Sequence, residues 1–141
     1  MPQWLLWAAL AAVFAAATAI LAKIGVREID PDVATLVRTC VILGVLVIMV
    51  AVTGQFRVLR STPARAYGFL LLSGLATGAS WVCYFRALRV GDAARVAPID
   101  KLSVVLIAVF GVLFLGEKLS QLNWLGIVLI ALGAWLVSVR V

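Results

Sequence analysis

The sequence predicts an all-α integral membrane protein with five transmembrane helices. Of its 141 residues, 65% are hydrophobic and only 13% are charged, whereas soluble chains are typically about 45–50% apolar and about 25% charged. The apolar residues fall into five runs, each close to the roughly 20 residues that a helix needs to cross the hydrocarbon core. The connections between them are too short to hold a second domain, so we expect residues 1–141 to form one transmembrane domain.

The predicted helices cover residues 4–22, 33–53, 66–85, 93–115 and 122–139. Lys23 and Arg27 close the first run. Pro31 can begin the second helix, because proline fits the first turn of a helix. Gly54 ends the second run, and the longest polar connection of the chain then leads to the third.

Arg86 and Arg89 close the third run, and a short turn leads into the fourth, which carries Pro98. A proline inside a helix removes one backbone hydrogen bond, and in a membrane the freed carbonyl must face protein or water. We therefore predict a helix break at Pro98. The alternative is a helix that begins later, with Pro98 in its first turns. A turn at residues 116–120 precedes the fifth run.

Composition also argues against several classes of protein. The net charge is +6, but the basic residues are scattered between apolar runs and form no stripe that would suit a nucleic acid. The chain has no histidine, no paired-carboxylate motif and no phosphate-binding loop. We therefore predict neither an enzyme nor a metal site nor a cofactor. Cys40 and Cys83 lie inside apolar runs, and we expect them to be small buried hydrophobic residues.

The basic residues give only a weak signal for orientation. With five helices the two termini lie on opposite sides of the membrane. The side of the N-terminus carries Arg57, Arg60, Arg65 and Lys118. The other side carries Lys23, Arg27, Arg86, Arg89, Arg95 and Arg140. The side richer in Lys and Arg normally faces the cytoplasm, and four basic residues against six is a small difference. Two interpretations therefore stay open. The chain inserts in both orientations, which would allow an antiparallel homodimer, or it inserts in one.

Three charged residues lie inside predicted helices: Arg38, Asp100 and Lys101. A charge near the bilayer centre costs at least roughly 2.5–3.5 kcal/mol, so such residues usually face a cavity or a partner. Arg38 follows Pro31 by seven residues, which places it roughly 10 Å along its helix. Asp100 and Lys101 follow Asp92 by a similar distance. We therefore predict a polar cavity lined by these three residues.

Lys23 and Arg86 lie at helix ends on the same side and would form the rim of this cavity. Four positive groups against the single carboxylate of Asp100 would favour an anionic or carboxylate-bearing solute. Two other readings remain open. Lys23 and Arg86 would then only extend to the interface, and Arg38 would pair with Asp100 solely to hold two helices together.

The third predicted helix carries two adjacent faces of interest. The first is polar and is predicted to contact solute: Ser73, Thr77, Ser80 and Tyr84. The second combines a GxxxG pair, which permits close helix packing, with aromatic residues: Gly74, Gly78, Trp81 and Phe85. Trp81 is also predicted to line the cavity. Alternatively, the hydroxyls bond to their own helix, and Trp81 and Tyr84 belong to an interfacial aromatic belt.

Four stretches carry a resemblance to a known family: residues 84–93, 95–103, 114–120 and 126–134. Together they resemble the EamA family of the drug/metabolite transporter superfamily, over essentially the whole chain. Most members of that family have two five-helix repeats in inverted orientation, so the resemblance implies that this chain is one half and works in a pair. Small multidrug transporters of the superfamily rely on an acid in their first helix. Residues 4–22 contain none, so that mechanism does not carry over.

The function expected from these observations is transport of a small metabolite by alternating access, in a homodimer in the cell inner membrane. Two alternatives stay open. One is a flippase-like subunit for lipid-linked sugars, in which a basic cavity would meet phosphate. The other is a membrane scaffold or accessory subunit that transports nothing.

Overall fold

The computed structural model describes residues 2–139 apart from the side chain of Arg60, so Arg140 lies outside the described residues. The described chain forms seven helices: α1 Gln3–Glu28, α2 Pro31–Val52, α3 Phe56–Ser61, α4 Ala64–Val90, α5 Ala93–Asp100, α6 Ser103–Leu115 and α7 Gln121–Ser138. Five segments are long and apolar enough to cross a membrane, because α5 and α6 together make one span and α3 is too short to make another. The predicted all-α fold with five membrane helices is confirmed.

The junction between α1 and α2 is built from charged residues and proline. α1 continues past its apolar run to Glu28, since Lys23 and Arg27 are good helix formers. Asp30 then caps α2, its Oδ1 accepting a hydrogen bond of 2.9 Å from the backbone N–H of Asp32. Pro31 occupies the first turn of α2. α2 therefore begins two residues before the predicted apolar run.

Part of the predicted polar connection between the second and third spans is helical. α2 ends where Gly54 takes a positive φ of 66°, a conformation that glycine adopts without steric cost. The six residues of α3 follow, and α4 begins after Pro63. The Thr62 hydroxyl donates to the Val58 carbonyl at 2.8 Å, which satisfies one carbonyl at the end of α3.

The fourth span is interrupted between α5 and α6. α5 ends at Asp100, two residues after Pro98, and α6 begins at Ser103. Within the interruption, the N–H of Leu102 donates to Ile99 and the N–H of Val104 donates to Lys101. Both bonds reach back three residues instead of the four of an α-helix. The fourth span is therefore two helices joined by a tight turn.

α6 ends at a glycine in the left-handed conformation. Gly116 has φ 68° and ψ 24°, the geometry in which glycine commonly terminates helices. The backbone N–H groups of Gly116 and Glu117 both donate to the Gly111 carbonyl. Ser120 then caps α7 by accepting a 3.2 Å hydrogen bond from the N–H of Asn123.

The described residues form two compact units, one of residues 20–89 and one of residues 2–19 with 90–139. In the first unit the best-packed side chains are Val26 and Leu88, both fully buried, with Phe85 at 2% exposure. In the second unit, α5 and α6 both pack against α7, and Gly111 and Ala134 are buried.

Most large apolar side chains point outward from both units. Examples are Leu72, 64% exposed, and Phe114, 78% exposed. An outward apolar surface on helices of membrane-spanning length is what lipid as a solvent permits. Cys40 and Cys83 are also exposed, so the prediction that they are buried is wrong: they lie on the outward faces of α2 and α4.

Candidate functional site

Arg38 of α2 lies against two aromatic rings of α4. Its guanidinium carbon is 4.3 Å from the centre of the Trp81 ring and 5.4 Å from the centre of the Phe85 ring. A guanidinium over an aromatic face is attracted by the ring quadrupole. Because α2 begins at Pro31, Arg38 sits seven residues, roughly 10 Å, along this span. The two rings thus hold a charged group within a helix of membrane-spanning length.

No carboxylate neutralises Arg38 among the residues that the structure describes. The two ion pairs found in residues 2–139 are Arg86 with Asp32 and Lys101 with Asp100. The sequence itself has no acidic residue between Asp32 and Asp92. The N–H donors of a guanidinium point outward in its plane, and both aromatic rings approach its central carbon. Arg38 is therefore able to offer charged donors to an oxyanion.

Phe85 is a member of this site that the sequence did not identify as functional. It is 2% exposed, so it is also a core residue of α4. Its spacing of four residues from Trp81 puts both rings on one helix face, and this spacing was the available signal. Tyr84 lies beside Phe85, with the two ring centres 6.4 Å apart. Within residues 20–89 the structure therefore brings Arg38 together with Trp81, Tyr84 and Phe85.

Arg86, predicted to lie at the rim of a cavity, is engaged by an acid. It donates through Nε to Asp32 Oδ1 at 3.1 Å and through one terminal nitrogen to Oδ2 at 2.8 Å. The two side chains are 63% and 54% exposed. Arg86 therefore links the last turns of α4 to the first turn of α2 at an accessible surface.

Lys23, the other predicted rim residue, contacts the end of the same helix. Its ammonium donates to the Leu88 carbonyl at 2.6 Å, and carbonyls in the last turn of a helix lack partners within that helix. Arg89 reaches back in the same way to the Ile29 carbonyl at 2.8 Å. These bonds tie the end of α4 to the end of α1 and to the turn that follows it.

The polar face of α4 is open along most of its length. Ser73, Thr77 and Ser80 are exposed, and Tyr84 is partly buried. The Thr77 hydroxyl donates to the Ser73 carbonyl at 2.9 Å, a bond within the helix. On the adjacent face, a Cβ added to Gly74 or Gly78 would meet no atom within 4 Å. This glycine face thus leaves room for another helix to approach.

Asp100 and Lys101 pair with each other at the interruption of the fourth span. Lys101 Nζ lies 3.3 Å from Asp100 Oδ2, with side-chain exposures of 57% and 35%. Neighbouring side chains on a regular helix point about 100° apart. Here Lys101 follows the last residue of α5, and its long side chain reaches back to the carboxylate of Asp100.

Comparison with known proteins agrees with this architecture. The model of the EamA-like transporter family matches residues 2–139. A protein of Sinorhizobium sp., named as an uncharacterized transporter in the cobO 3' region, is 61% identical over 137 residues, which cover 97% of each chain. No solved structure gives a significant match. With five helices suited to a membrane and a family match over nearly its full length, the chain is a multi-pass membrane protein that belongs to the EamA-like transporter family.

Proposed function

We propose that this protein carries a small, carboxylate-bearing metabolite across the cell inner membrane by alternating access, as a homodimer. The observation that supports this most strongly is the position of Arg38. Its guanidinium lies against Trp81 and Phe85, on a helix of membrane-spanning length, and has no carboxylate partner among the described residues. A charged side chain inside a membrane span raises the free energy of insertion. Such residues are therefore rare, and those that occur usually have a function.

The guanidinium suits a carboxylate better than a point charge would. Its planar donors match the two oxygens of a carboxylate, and bidentate pairs are stronger and more directional than single bonds. Trp81 would orient the guanidinium, and Tyr84 would lie beside the bound solute. Ser73, Thr77 and Ser80 extend along α4 as further hydrogen-bonding groups for the polar part of the solute.

Asp100 and Lys101 are proposed to contact solute as well. They lie at a break in a membrane-spanning segment, and carriers often place binding groups at such interrupted helices. Because the two side chains are 57% and 35% exposed, and ion pairs in contact with solvent contribute little, an arriving ion can replace either partner at modest cost.

A homodimer would supply the second five-helix repeat that alternating access requires in this family. The open face of α4 at Gly74 and Gly78 offers room for a helix of the second copy. If the dimer is antiparallel, a reporter fused to the C-terminus will be found on both sides of the membrane. A reporter found on one side only would remove the antiparallel arrangement and leave a parallel one. Sedimentation of cell membranes tests the proposed location in the inner membrane.

Uptake into proteoliposomes tests the transport function. The panel should contain small carboxylic acids and the matching amides. We expect uptake of at least one acid, and Arg38→Gln should reduce it by at least about tenfold, because a hydrogen bond to a charged group contributes about 1.5–3 kcal/mol. Arg27→Gln, which changes an exposed arginine at the end of α1, is the matched control.

Two outcomes would contradict the proposal. Equal uptake by wild type and Arg38→Gln would remove Arg38 from the transport path. Uptake of no solute by well-folded wild-type protein would instead favour a scaffold or accessory subunit.

A further inference from the structure

A second basic region lies at the connection between α2 and α4, away from Arg38 along both helices. Arg57, Arg60 and Arg65 fall within nine residues, and the sequence has no acid from residue 33 to residue 91. Neither of the ion pairs in the described part of the chain involves this connection. The positive charge of Arg57 and Arg65 is therefore left for a group outside the described residues to neutralise.

The connection is held in place by hydrogen bonds. The Tyr67 hydroxyl of α4 donates to the Leu59 carbonyl of α3, so α3 is tied to the first turn of α4. On α3, the apolar residues Phe56 and Leu59 are each 48% exposed, and Arg57 is exposed between them. A short segment that presents apolar and basic side chains together is suited to the boundary between headgroups and acyl chains.

An apolar groove runs along the outer surface of α4 from this connection into the span. Its lining residues are Arg65, Gly68, Phe69, Leu71 and Leu72. Arg65 is at the end nearest the helix start, and its guanidinium carbon lies 5.8 Å from the centre of the Phe69 ring. From Arg65 to Leu72 the groove descends roughly 10 Å at the rise of an α-helix.

Gly68 keeps the groove open. A Cβ added there would meet no atom within 4 Å, whereas Phe69, Leu71 and Leu72 beside it are more than 60% exposed. The groove thus has a basic residue at its outer end and only apolar surface deeper in the span. That order, charge outside and hydrocarbon inside, matches the order of groups in a phospholipid.

We propose that this groove binds an anionic phospholipid, with the headgroup phosphate at Arg65 and Arg57 and one acyl chain along Gly68, Phe69 and Leu72. Charge complementarity selects this occupant. A zwitterionic lipid would bring a cation to a region that already has several, and a free anion would leave the apolar groove unfilled. The arginines of this site lie at the opposite end of α4 from Trp81 and Phe85.

Native mass spectrometry of the full chain in detergent tests this site, with dioleoyl phosphatidylglycerol and dioleoyl phosphatidylcholine as probes. We expect tighter retention of phosphatidylglycerol. In Arg57→Gln/Arg65→Gln its affinity should fall about fivefold for each arginine, the effect expected of one basic residue near a charged headgroup. Arg27→Gln, at the end of α1, should leave retention unchanged.

Gly68→Leu provides a second test that keeps every charge. A leucine at this position enters open space and favours the helix, so the variant should fold, but it fills the groove. We expect it to weaken phosphatidylglycerol binding while competition by inorganic phosphate stays as weak as in wild type. Equal retention of the two lipids, an unchanged double variant, an unaffected Gly68→Leu variant, or full competition by millimolar inorganic phosphate would each overturn the proposal.

Discussion

Arg86 and Asp32 form a two-point ion pair that joins the last turns of α4 to the first turn of α2. Lys23 and Arg89 reinforce the same junction by donating to backbone carbonyls on the neighbouring segments. Since Val26, Phe85 and Leu88 are also buried in this region, it is the best-packed part of residues 20–89. The ends of α1 and α4 and the start of α2 therefore form one structural junction.

Breaking the ion pair should weaken this junction only slightly. Both side chains are more than half exposed, and exposed ion pairs contribute little because solvent and salt screen them. Asp32→Asn and Arg86→Gln should each lower the melting temperature by less than about 3 °C. The exchanged pair Asp32→Arg/Arg86→Asp should recover only part of that loss in a thermal melt, because a cation in the first turn of α2 opposes the helix dipole. A much larger loss in either single variant would show that the pair does more than join two helix ends.

The packing at Leu88 should matter far more than that of an outward-facing leucine. Leu88 is fully buried, whereas Leu75 on the same helix is 64% exposed. We expect Leu88→Ala to lower the free energy of unfolding by about 2 kcal/mol, the low end of the range for buried leucines. The value is low because a leucine side chain that leaves the protein core in a membrane enters lipid and not water. Leu75→Ala is the control and should be close to neutral. Equal costs in reversible unfolding by a denaturing detergent would contradict the packing described for α4.

The end of α6 should be sensitive to substitution at Gly116. At φ 68° any other L-residue is strained, by about 1–2 kcal/mol. Gly116→Ala should therefore lower stability by about that amount. Gly126→Ala in α7 is the control, because a Cβ there meets no atom within 4 Å and alanine favours a helix. If Gly116→Ala were as stable as Gly126→Ala, the left-handed turn between α6 and α7 would be wrong.

Replacing Pro98 with alanine should raise the stability of the protein and lower its transport activity. In Pro98→Ala the restored N–H can donate to the Ala94 carbonyl four residues earlier, and the clash of the proline ring with that carbonyl is removed, so α5 should gain one helical hydrogen bond and become more rigid. We expect stability to rise by about 1 kcal/mol or more, and uptake in proteoliposomes to fall. Arg95→Gln, one turn away in α5, controls for effects of substitution as such. A less stable Pro98→Ala protein with full uptake would show that Pro98 neither lowers stability nor supports transport.

The sequence predicted the number of membrane spans well, but it predicted the ends of the helices less well. The five spans followed from the length and spacing of the apolar runs, because hydrocarbon thickness fixes how many residues a helix needs. Their ends were less predictable: α1 runs on to Glu28, since charged residues that leave the bilayer can still be helical. α3 was missed because six residues give too little periodicity to distinguish a helix from a polar loop.

The partners of the charged residues could not be read from the chain. Arg86 and Asp32 are 54 positions apart, and nothing in either local pattern selects the other. The position of Arg38 along α2 was predictable from its distance to Pro31, but its contact with Phe85 depends on how α2 and α4 face each other. Such contacts require the tertiary arrangement, whereas helix length and composition do not.

Ligand-induced stabilisation provides the most direct measurement of the proposed carboxylate site at Arg38, because a solute that binds the folded state must raise its melting temperature. The comparison uses a carboxylic acid found to be taken up and the matching amide, each added to wild type, Arg38→Lys and Arg38→Gln. We predict that the acid alone stabilises wild type, that Arg38→Lys retains only part of this effect, and that Arg38→Gln loses it. Stabilisation of Arg38→Gln by the acid to the same extent as wild type would contradict a carboxylate site at Arg38.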